Sequence, residues 1–318
     1  MIALKPYLPL GNGANQLADV GAETKHFLNA AEARVRRMGG AAEALSTQEL
    51  SWLSADFHRA MDGGLGAPVV IASRWEGTAR HAALHGLWES GAESVRQWRE
   101  LLRDFWEKQH YCGYCGLYRN PVGGEGEGSR LPLDHYLPRS KWPELAVCPA
   151  NVVPTCDTCN SRLKLELAPA HGSVRLFIHP YFDDFCRRLG LHSTVELSSG
   201  APALTFGWRD LSGISAEQSD IATSHLTLLN LSARYAAVSA EEVLPELRGL
   251  ATEFIRSGSW MAPEQIRDYL VNCAASSLRS KGVLNWRTAL YRCLADSEDY
   301  WRWLFDRARD DGLETAEV

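Results

Sequence analysis

Apolar residues recur every three or four positions over much of the chain, which is the pattern of an amphipathic helix. One clear case lies just before residue 110, where the apolar positions are Val95, Trp98, Leu101, Leu102 and Phe105. The first 110 residues therefore predict a mainly helical region. Glycine-rich breaks interrupt it, and the run PVVIAS at 68–73 predicts one short strand.

Helical periodicity returns from about residue 215 onward. Ser215 stands before an apolar run and is a candidate N-cap for the first helix of this part. Further helices are predicted over 239–257, 262–280 and 287–309, with Pro263 near the start of the second, where proline is tolerated.

Short β-like runs replace the helical pattern between these two regions, in RLPLDHYLP and NVVPTC. A glycine-rich insert at 121–130 predicts a loop ahead of the first run. The run SVRLFIHPYF (173–182) predicts another strand, and APALTFGW (201–208) is expected to pair with it.

This patterning divides the chain into three parts. We expect a helical N-terminal region over 1–110, a small β-containing centre over 111–183 and a mainly helical C-terminal region over 184–318.

Composition narrows the class of protein. The chain has 318 residues, 45% of them hydrophobic, with 11 tryptophans, which is enough for one large domain or several smaller ones. The sequence has neither a secretory signal pattern nor an apolar run of the roughly 18 residues that a membrane span needs, so we expect a cytoplasmic protein with no membrane partner. The net charge of −6 argues against a protein that coats nucleic acid, although an enzyme needs only a local basic patch.

Two Cys-x-x-Cys pairs stand about forty residues apart: Cys112 with Cys115, and Cys156 with Cys159. Two such pairs can close a tetrahedral structural zinc site that leaves no coordination position open for chemistry. The alternatives are a thioredoxin-like redox centre, which needs only one pair, and unrelated buried cysteines. The other four cysteines have no mutual spacing pattern and are interpreted as small apolar residues.

The zinc-closed segment contains LPLDHYLPRS and NVVPTCDTCNSRLK. With the flanking cysteine pairs, residues 112–166 resemble an HNH endonuclease motif of the ββα-metal type, in the variant whose last residue is asparagine. The resemblance implies a mainly α protein with a central ββα-metal unit, a few short strands and a structural zinc site with four cysteine ligands.

The resemblance also implies roles for individual residues. His135 would be the general base that takes a proton from water. Asp134 and Asn160 would hold a catalytic divalent cation, Mg²⁺ or Mn²⁺, since both offer oxygen ligands. Asn151 would tie the intervening loop and orient the base. Taken singly, each of these residues also fits a structural role in a turn or a cap.

Basic residues surround this motif and are candidate phosphate contacts: Arg139, Lys141, Arg162 and Lys164. His179, in FIHPYFDDF, is a candidate to approach the active site as a supporting or phosphate-contacting group, and otherwise has a structural role. A second candidate nucleic-acid patch contains Arg279, Lys281, Arg287 and Arg292. A solvated basic face is the alternative for both sets.

These observations favour a metal-dependent nuclease that cuts DNA, with RNA as an alternative substrate. The HPYF run after the motif resembles that of some bacterial antiphage HNH nucleases, including the Septu type, which implies a defence role and a protein partner such as an ATPase or sensor subunit. A catalytically inactive, zinc-stabilised module that binds nucleic acid or protein is the main alternative. A secreted toxin nuclease is another.

Overall fold

A computed structural model describes residues 85, 112–117, 132–143, 146, 151–165, 170–171, 174–180, 183–198, 201–281 and 285–314. These residues are mainly helical, with three pairs of antiparallel strands. Apart from His85, the predictions for 1–110 fall outside the described residues, as does the glycine-rich insert. The described residues form two compact units. The first contains the described residues up to Asp184 together with Asp220–His225, and the second contains Phe185–Ser219 and the described residues from Leu226 onward.

The centre of the first unit is a pair of three-residue strands. Strand β1 (Leu133–His135) runs antiparallel to β2 (Val152–Pro154), with His135 opposite Val152. Val152 and Val153 are completely buried, as suits β-branched residues in a core strand. A short, wide π-helix, Thr158–Lys164, follows β2. Both predicted β-like runs are therefore confirmed as strands.

The strand predicted over 173–182 is much shorter. Among residues 174–180, the part of this run that the structure describes, only Val174–Arg175 form a strand, β4, which pairs with β3 (Ala170–His171). Beyond β4 the Asp183 carboxylate accepts hydrogen bonds from the Arg175 guanidinium and from the backbone N–H of His179. This local network folds the segment back on itself, which is incompatible with continued extension.

The expected partner of 201–208 was also wrong. Strand β6 (Ala201–Asp210) pairs with β5 (Leu189–Ser198), for which no strand had been predicted. Only two residues separate these strands in sequence, so the hairpin closes at low entropic cost compared with pairing to a distant segment. A 3₁₀-helix, Asp184–Arg188, leads into β5.

In the described residues after the hairpin there are six α-helices: α1 (Ala216–Leu228), α2 (Leu231–Val238), α3 (Leu244–Arg256), α4 (Glu264–Lys281), α5 (Trp286–Asp296) and α6 (Glu298–Glu314). A π-helical turn, Ser239–Val243, joins α2 to α3. The N-cap prediction is confirmed, because the Ser215 hydroxyl accepts a bond of 3.2 Å from the Gln218 N–H. The Gln218 amide oxygen accepts in return from the Ser215 N–H at 2.9 Å, which completes a capping box.

The helix predicted over 287–309 is two helices. Ser297 has extended backbone angles, φ −95° and ψ 100°, between α5 and α6. Its hydroxyl accepts from the N–H of Tyr300 at 3.3 Å, so it caps α6. Glu298 and Asp299 follow in the first turn, where negative charge is favourable. None of the described helices has the length and apolarity to cross a membrane.

The second unit is built around its hairpin. Phe206 on β6 and Trp286 on α5 lie 5.4 and 6.5 Å from the ring of Tyr235 on α2. The Ser193 hydroxyl of β5 donates to the carbonyl of Ala289 at 3.0 Å. Tyr235 is thus the aromatic centre of this core.

Candidate metal centre and adjoining site

The four cysteines of the two Cys-x-x-Cys pairs converge on one buried point. Their sulfur atoms all lie within 4.8 Å of one another. The Sγ atoms of Cys115 and Cys156 are 3.8 Å apart. A tetrahedral zinc ion with bonds of about 2.3 Å would place its sulfur ligands about 3.8 Å apart, so the arrangement fits. The cluster could hold a metal such as zinc.

Each cysteine pair lies in its own backbone turn, and the two turns have the same hydrogen-bond pattern. Gly116 donates its N–H to the carbonyl of Cys112 at 2.9 Å, and Asn160 donates to that of Cys156 at 3.0 Å. Gly116 has φ +64°, a conformation that costs glycine little. In the second turn the N–H of Cys159 also points at the sulfur of Cys156, 3.4 Å away. Each turn directs two thiols to the same side.

The protonation of the thiols indicates why the cluster suits a cation. Burial raises the pKa of Cys112 well above its usual value, because a buried thiolate lacks solvation. The hydrogen bond from Cys112 lowers the pKa of Cys156 to about 7. In the absence of positive charge the cluster therefore cannot hold four thiolates at neutral pH, whereas a bound metal stabilises them.

The cysteine turns are attached to the strand pair. The N–H of Gly113 donates to the carbonyl of Pro154, at the end of β2, at 2.7 Å. Thr155 donates to the carbonyl of Pro132, just before β1, at 2.8 Å. Because β1 is antiparallel to β2, these two bonds lie at the same end of the strand pair, and a metal at the four cysteines would fix that end.

Asn151 closes the loop between β1 and β2. Its side-chain oxygen accepts from the N–H of Leu137 at 2.7 Å, and its side-chain nitrogen donates to the Leu137 carbonyl at 3.1 Å. The Asn151 carbonyl also accepts from the N–H of Tyr136 at 2.7 Å. Asn151 is completely buried, so the loop is held directly after His135.

His135 lies at the end of β1 and is half-buried. Its Nε2 is 3.0 Å from the carbonyl oxygen of Ala146. A carbonyl only accepts hydrogen bonds, so this nitrogen must carry the proton. In the neutral ring the lone pair is then on Nδ1, and the Ala146 contact fixes the tautomer.

Asp134 is buried, and one of its oxygens has two side-chain donors. Oδ2 accepts from the hydroxyl of Tyr114 at 2.8 Å and forms an ion pair with Nζ of Lys164 at 2.9 Å. Lys164 also donates to the backbone carbonyl of His135 at 2.8 Å. Burial raises the pKa of Asp134, and the ion pair with Lys164 opposes that rise. These contacts join the first cysteine turn, β1 and the Thr158–Lys164 helix.

Asn160 is half-buried in the first turn of the Thr158–Lys164 helix. It is four residues before Lys164, and residues at that spacing share a helix face. The ion pair between Lys164 and Asp134 thus brings the helix that carries Asn160 against the strand that carries Asp134.

Of the four predicted phosphate contacts, Lys164 must be removed. It is completely buried, and its ammonium group is bonded inside the protein, so it does not face a nucleic acid in this structure. Lys141 is exposed and Arg139 is half-buried. Arg162 is exposed, 3.8 Å from the Asp157 carboxylate. These three remain accessible cations.

His179 is also completely buried, so it does not contact phosphate. Its ring lies 4.3 Å from that of Tyr136, the residue after His135. The Tyr136 hydroxyl in turn donates to the carbonyl of Phe177 at 2.6 Å. His179 therefore packs against Tyr136, the residue directly after β1.

The more distant basic set lies in the second unit. Arg279 is exposed at the end of α4. Arg287 forms an ion pair of 3.1 Å with Glu242 and lies 5.1 Å from the ring centroid of Trp286. The positive charge of Arg287, one member of this predicted patch, is thus balanced by the Glu242 carboxylate.

Sequence reasoning missed His225, a buried residue of α1. One ring nitrogen, Nε2, lies 3.0 Å from the carbonyl of Tyr114 in the first cysteine turn, and the other, Nδ1, accepts from the N–H of Ile178 at 3.3 Å. Burial lowers its pKa to about 4, so it is neutral at physiological pH. Tyr114 was missed as well, since no spacing signal links it to Asp134. A histidine inside an amphipathic helix likewise gives no sign of a partner more than a hundred residues away.

Comparison with known proteins finds a similar protein in a bacteriophage. The chain is 28% identical over 214 residues to protein ea31 of Escherichia phage lambda, an alignment that spans 64% of this chain and 66% of that protein, just under two thirds of its length. No protein-family model matches the sequence. No solved structure matches either.

Proposed function

We propose that this protein is a metal-dependent endonuclease of the HNH type that hydrolyses DNA phosphodiester bonds, with His135 as the general base. The proposal rests on the resemblance of residues 112–166 to that family. The single structural observation that supports it best is the loop held by Asn151 directly after His135. This loop tie is the role that the resemblance assigns to Asn151.

The contacts of His135 suit proton transfer. The carbonyl of Ala146 holds one ring nitrogen as a donor, which leaves the lone pair of the neutral ring on the other nitrogen. A base oriented in this way can accept a proton from an attacking water molecule. His135 is half-buried, so solvent reaches its position at the end of β1.

We assign structural zinc to the four cysteines. The spacing of the sulfur atoms fits a tetrahedral ion, and four protein ligands leave no position for substrate. Four reduced thiols also suit the reducing cytoplasm, which is the location we propose. The zinc would stabilise the site and take no part in hydrolysis.

The catalytic Mg²⁺ or Mn²⁺ implied by the resemblance would be held by Asp134 and Asn160 and would neutralise charge on the phosphate. As placed, these residues do not fit a divalent cation, because the Lys164 ammonium already pairs with the Asp134 carboxylate. We therefore derive no catalytic step through that cation from this structure.

Three accessible cations support a nucleic-acid substrate, Arg139, Lys141 and Arg162. The phosphodiester chemistry itself does not distinguish DNA from RNA. With a net charge of −6 the chain is a weak general binder of polyanions, which favours help from a protein partner such as an ATPase or sensor subunit. A role in bacterial defence remains part of the proposal, and the name of the phage relative adds nothing to it.

The alternative is a catalytically inactive, zinc-stabilised module that binds nucleic acid or protein. One observation favours it: the Asp134 carboxylate is internally neutralised by Lys164 and also accepts from Tyr114. In such a module this network would have a structural role alone.

Cleavage assays separate the two functions. Zinc-loaded protein would be incubated with supercoiled plasmid, single-stranded DNA or RNA, with Mg²⁺ or Mn²⁺. His135→Ala should abolish cleavage and retain zinc, while the control His192→Ala, on the hairpin of the second unit, should cleave normally. Nicked or linear plasmid would report cutting of one or two strands. Cleavage that survives in His135→Ala would rule out His135 as the base. No cleavage by folded wild-type protein, even after fractions that contain a protein partner are added, would favour the binding module.

A further inference from the structure

Tyr136 directly follows His135 and is completely buried. Its backbone N–H donates to the carbonyl of Asn151 at 2.7 Å. Its hydroxyl donates to the carbonyl of Phe177 at 2.6 Å and accepts from Nε of Arg175 at 3.3 Å. Tyr136 is therefore held at its backbone by Asn151 and at its hydroxyl by a later segment of the chain, which lies outside residues 112–166.

Arg175 uses all three nitrogen atoms of its guanidinium group in this arrangement. Nη1 donates to Oδ1 of Asp183 at 2.9 Å, Nη2 donates to the other carboxylate oxygen, and Nε donates to Tyr136. The planar guanidinium holds these donors in fixed directions, so the pairing with Asp183 determines where Nε points. A lysine could pair with Asp183 but could not also present a second donor in a fixed direction.

The Asp183 carboxylate also positions His179. It accepts from the backbone N–H of His179 at 2.5 Å. That bond fixes the backbone at His179, whose completely buried ring lies 4.3 Å from the ring of Tyr136. One carboxylate thus places both the donor on the Tyr136 hydroxyl and the ring that packs against Tyr136. We call Arg175, His179 and Asp183 the Tyr136 clamp.

We propose that the Tyr136 clamp positions His135 for proton transfer and that Arg175 is a positioning residue of the site. This inference rests on the proposed function, since it concerns the same histidine base. Tyr136 and His135 share a peptide bond, so a shift of the tyrosine moves the backbone that carries the base. A general base must lie within hydrogen-bond reach of the attacking water, and a displacement of about 1 Å can lower a rate about 100-fold.

Cleavage kinetics of zinc-loaded protein separate kcat from KM. Tyr136→Phe keeps the ring and removes the hydroxyl, so kcat should fall about tenfold to 100-fold while KM changes less than about twofold, because no substrate contact is lost. Arg175→Lys should act similarly, and combining the two should add less than about twofold, since both break the same bond. Tyr300→Phe, in a completely buried tyrosine of α6, is the control and should cleave normally. Wild-type kcat in Tyr136→Phe would overturn the proposal.

Rescue with imidazole distinguishes positioning of His135 from a general loss of structure. Imidazole added to His135→Gly is not attached to the backbone, so the position of that backbone no longer matters. Tyr136→Phe should therefore change the imidazole-rescued rate of His135→Gly by less than about twofold. An equal loss in the rescued enzyme and in the enzyme that contains His135 would show that the clamp only maintains the fold, and would overturn the proposal.

Nuclear magnetic resonance of protein with isotope-labelled histidine tests the proposal without cleavage. At about pH 8, where an ordinary histidine ring is neutral, His135 in wild type should carry its proton on Nε2, which faces the Ala146 carbonyl. Tyr136→Phe should give a mixture of tautomers, because the ring is no longer held against that carbonyl, and Tyr300→Phe should not. The absence of the signal in His135→Ala assigns it. Arg175→Lys replaces Tyr136→Phe if the latter fails to fold, and a single tautomer in the folded variant would overturn the proposal.

The two proposals fail in different ways. If Tyr136→Phe changes the tautomer of His135 but neither it nor wild type cleaves nucleic acid, the clamp stands as the device that positions His135 and the nuclease function falls. If wild type cleaves but Tyr136→Phe changes neither kcat nor the tautomer, the nuclease function stands and the clamp falls.

Discussion

At the scale of single residues, the side chains around His135 act mainly on backbone groups. Asn151 exchanges two hydrogen bonds with Leu137, and Lys164 donates to the carbonyl of His135 itself. Backbone contacts of this kind are insensitive to which side chains occupy the loop, so they fix its course rather than its chemistry. The position of His135, the proposed base, thus depends on residues that need never touch a substrate.

Asn151→Ala should destabilise the protein by roughly 2–4 kcal/mol, because it leaves the N–H and the carbonyl of Leu137 without their side-chain partner. Urea unfolding of zinc-loaded protein measures this loss. Asn272→Ala, on the exposed face of α4, is the matched control and should stay within about 0.5 kcal/mol of wild type. A loss no larger than that of the control would contradict the assigned role of Asn151.

Part of this site could be predicted from the sequence. The spacing of Cys112, Cys115, Cys156 and Cys159 is a local pattern with one dominant chemical meaning, and the structure brings these residues together. The bond between Tyr114 and Asp134 could not be predicted, because it depends on how a cysteine turn packs on a strand. Lys164 was misassigned for a related reason: a basic residue near a motif is usually solvated, and only the fold shows that this one is buried.

At the scale of elements, the strands of the first unit are too short to stand alone. β1 and β2 have three residues each, and an isolated two-stranded pair of even greater length is marginal in water. The bonds of Gly113 and Thr155 hold the end of this pair at which β1 begins and β2 ends, next to the cysteine turns. We infer that metal binding at the cysteines supplies the stability that the strands lack.

Cys156→Ser and His135→Ala should therefore have different effects. Cys156→Ser removes one of four ligands and should lower bound zinc from about one ion per chain to nearly none, with loss of structure in the first unit. His135→Ala should retain both zinc and fold. Zinc analysis with circular dichroism measures the two effects, and Cys186→Ser, outside the cluster, is the control. Loss of zinc in His135→Ala would refute this division of roles.

Helix α1 contributes a pH-dependent contact through His225. The pKa of its buried ring is lowered to about 4 from 6.5, so the unfolded chain binds the proton more strongly. Stability from the neutral ring is complete above pH 6.5 and is lost as the pH falls toward 4. Between pH 7 and 5 the loss should be about 2 kcal/mol.

Urea unfolding at several pH values measures this dependence. Release of zinc in acid also destabilises the protein, so the comparison is with His225→Gln, which retains the cysteines but has no ionisable ring. The variant should show a smaller loss between pH 7 and 5. Equal losses in both proteins would show that His225 does not contribute.

Element prediction succeeded where the signal was local and failed where a choice of partner was needed. Ser215 was identified as a cap because its partner is only three residues away. The partner of β6 was wrong because alternation alone does not say which strand lies beside it. The break at Ser297 was missed because apolar periodicity continues on both sides of it.

At the scale of the whole molecule, the described residues form two compact units, which we expect to depend on a metal to different degrees. The first unit contains all four cysteines of the cluster. The second has its own aromatic core around Tyr235 and an ion pair with two hydrogen bonds between Arg248 and Asp311. Its stability should accordingly be independent of zinc.

Removal of the metal with a chelator tests this. Limited proteolysis with mass spectrometry should then show new cuts in the first unit and continued protection of α3 to α6 in the second. Restoring zinc should restore protection of the first unit. Simultaneous loss of protection in both units on chelation would contradict the prediction.

The most direct test of the central claim is chemical rescue of the proposed base. His135→Gly should lose cleavage of supercoiled plasmid, since no other assigned group accepts the proton, and added imidazole should restore part of it by occupying the space of the missing ring. Zinc content should stay unchanged throughout. Rescue by imidazole in His135→Gly but not in Asn151→Ala would establish His135 as the base. Wild-type cleavage with no rescue, or cleavage by His135→Gly at the wild-type rate, would contradict the assignment.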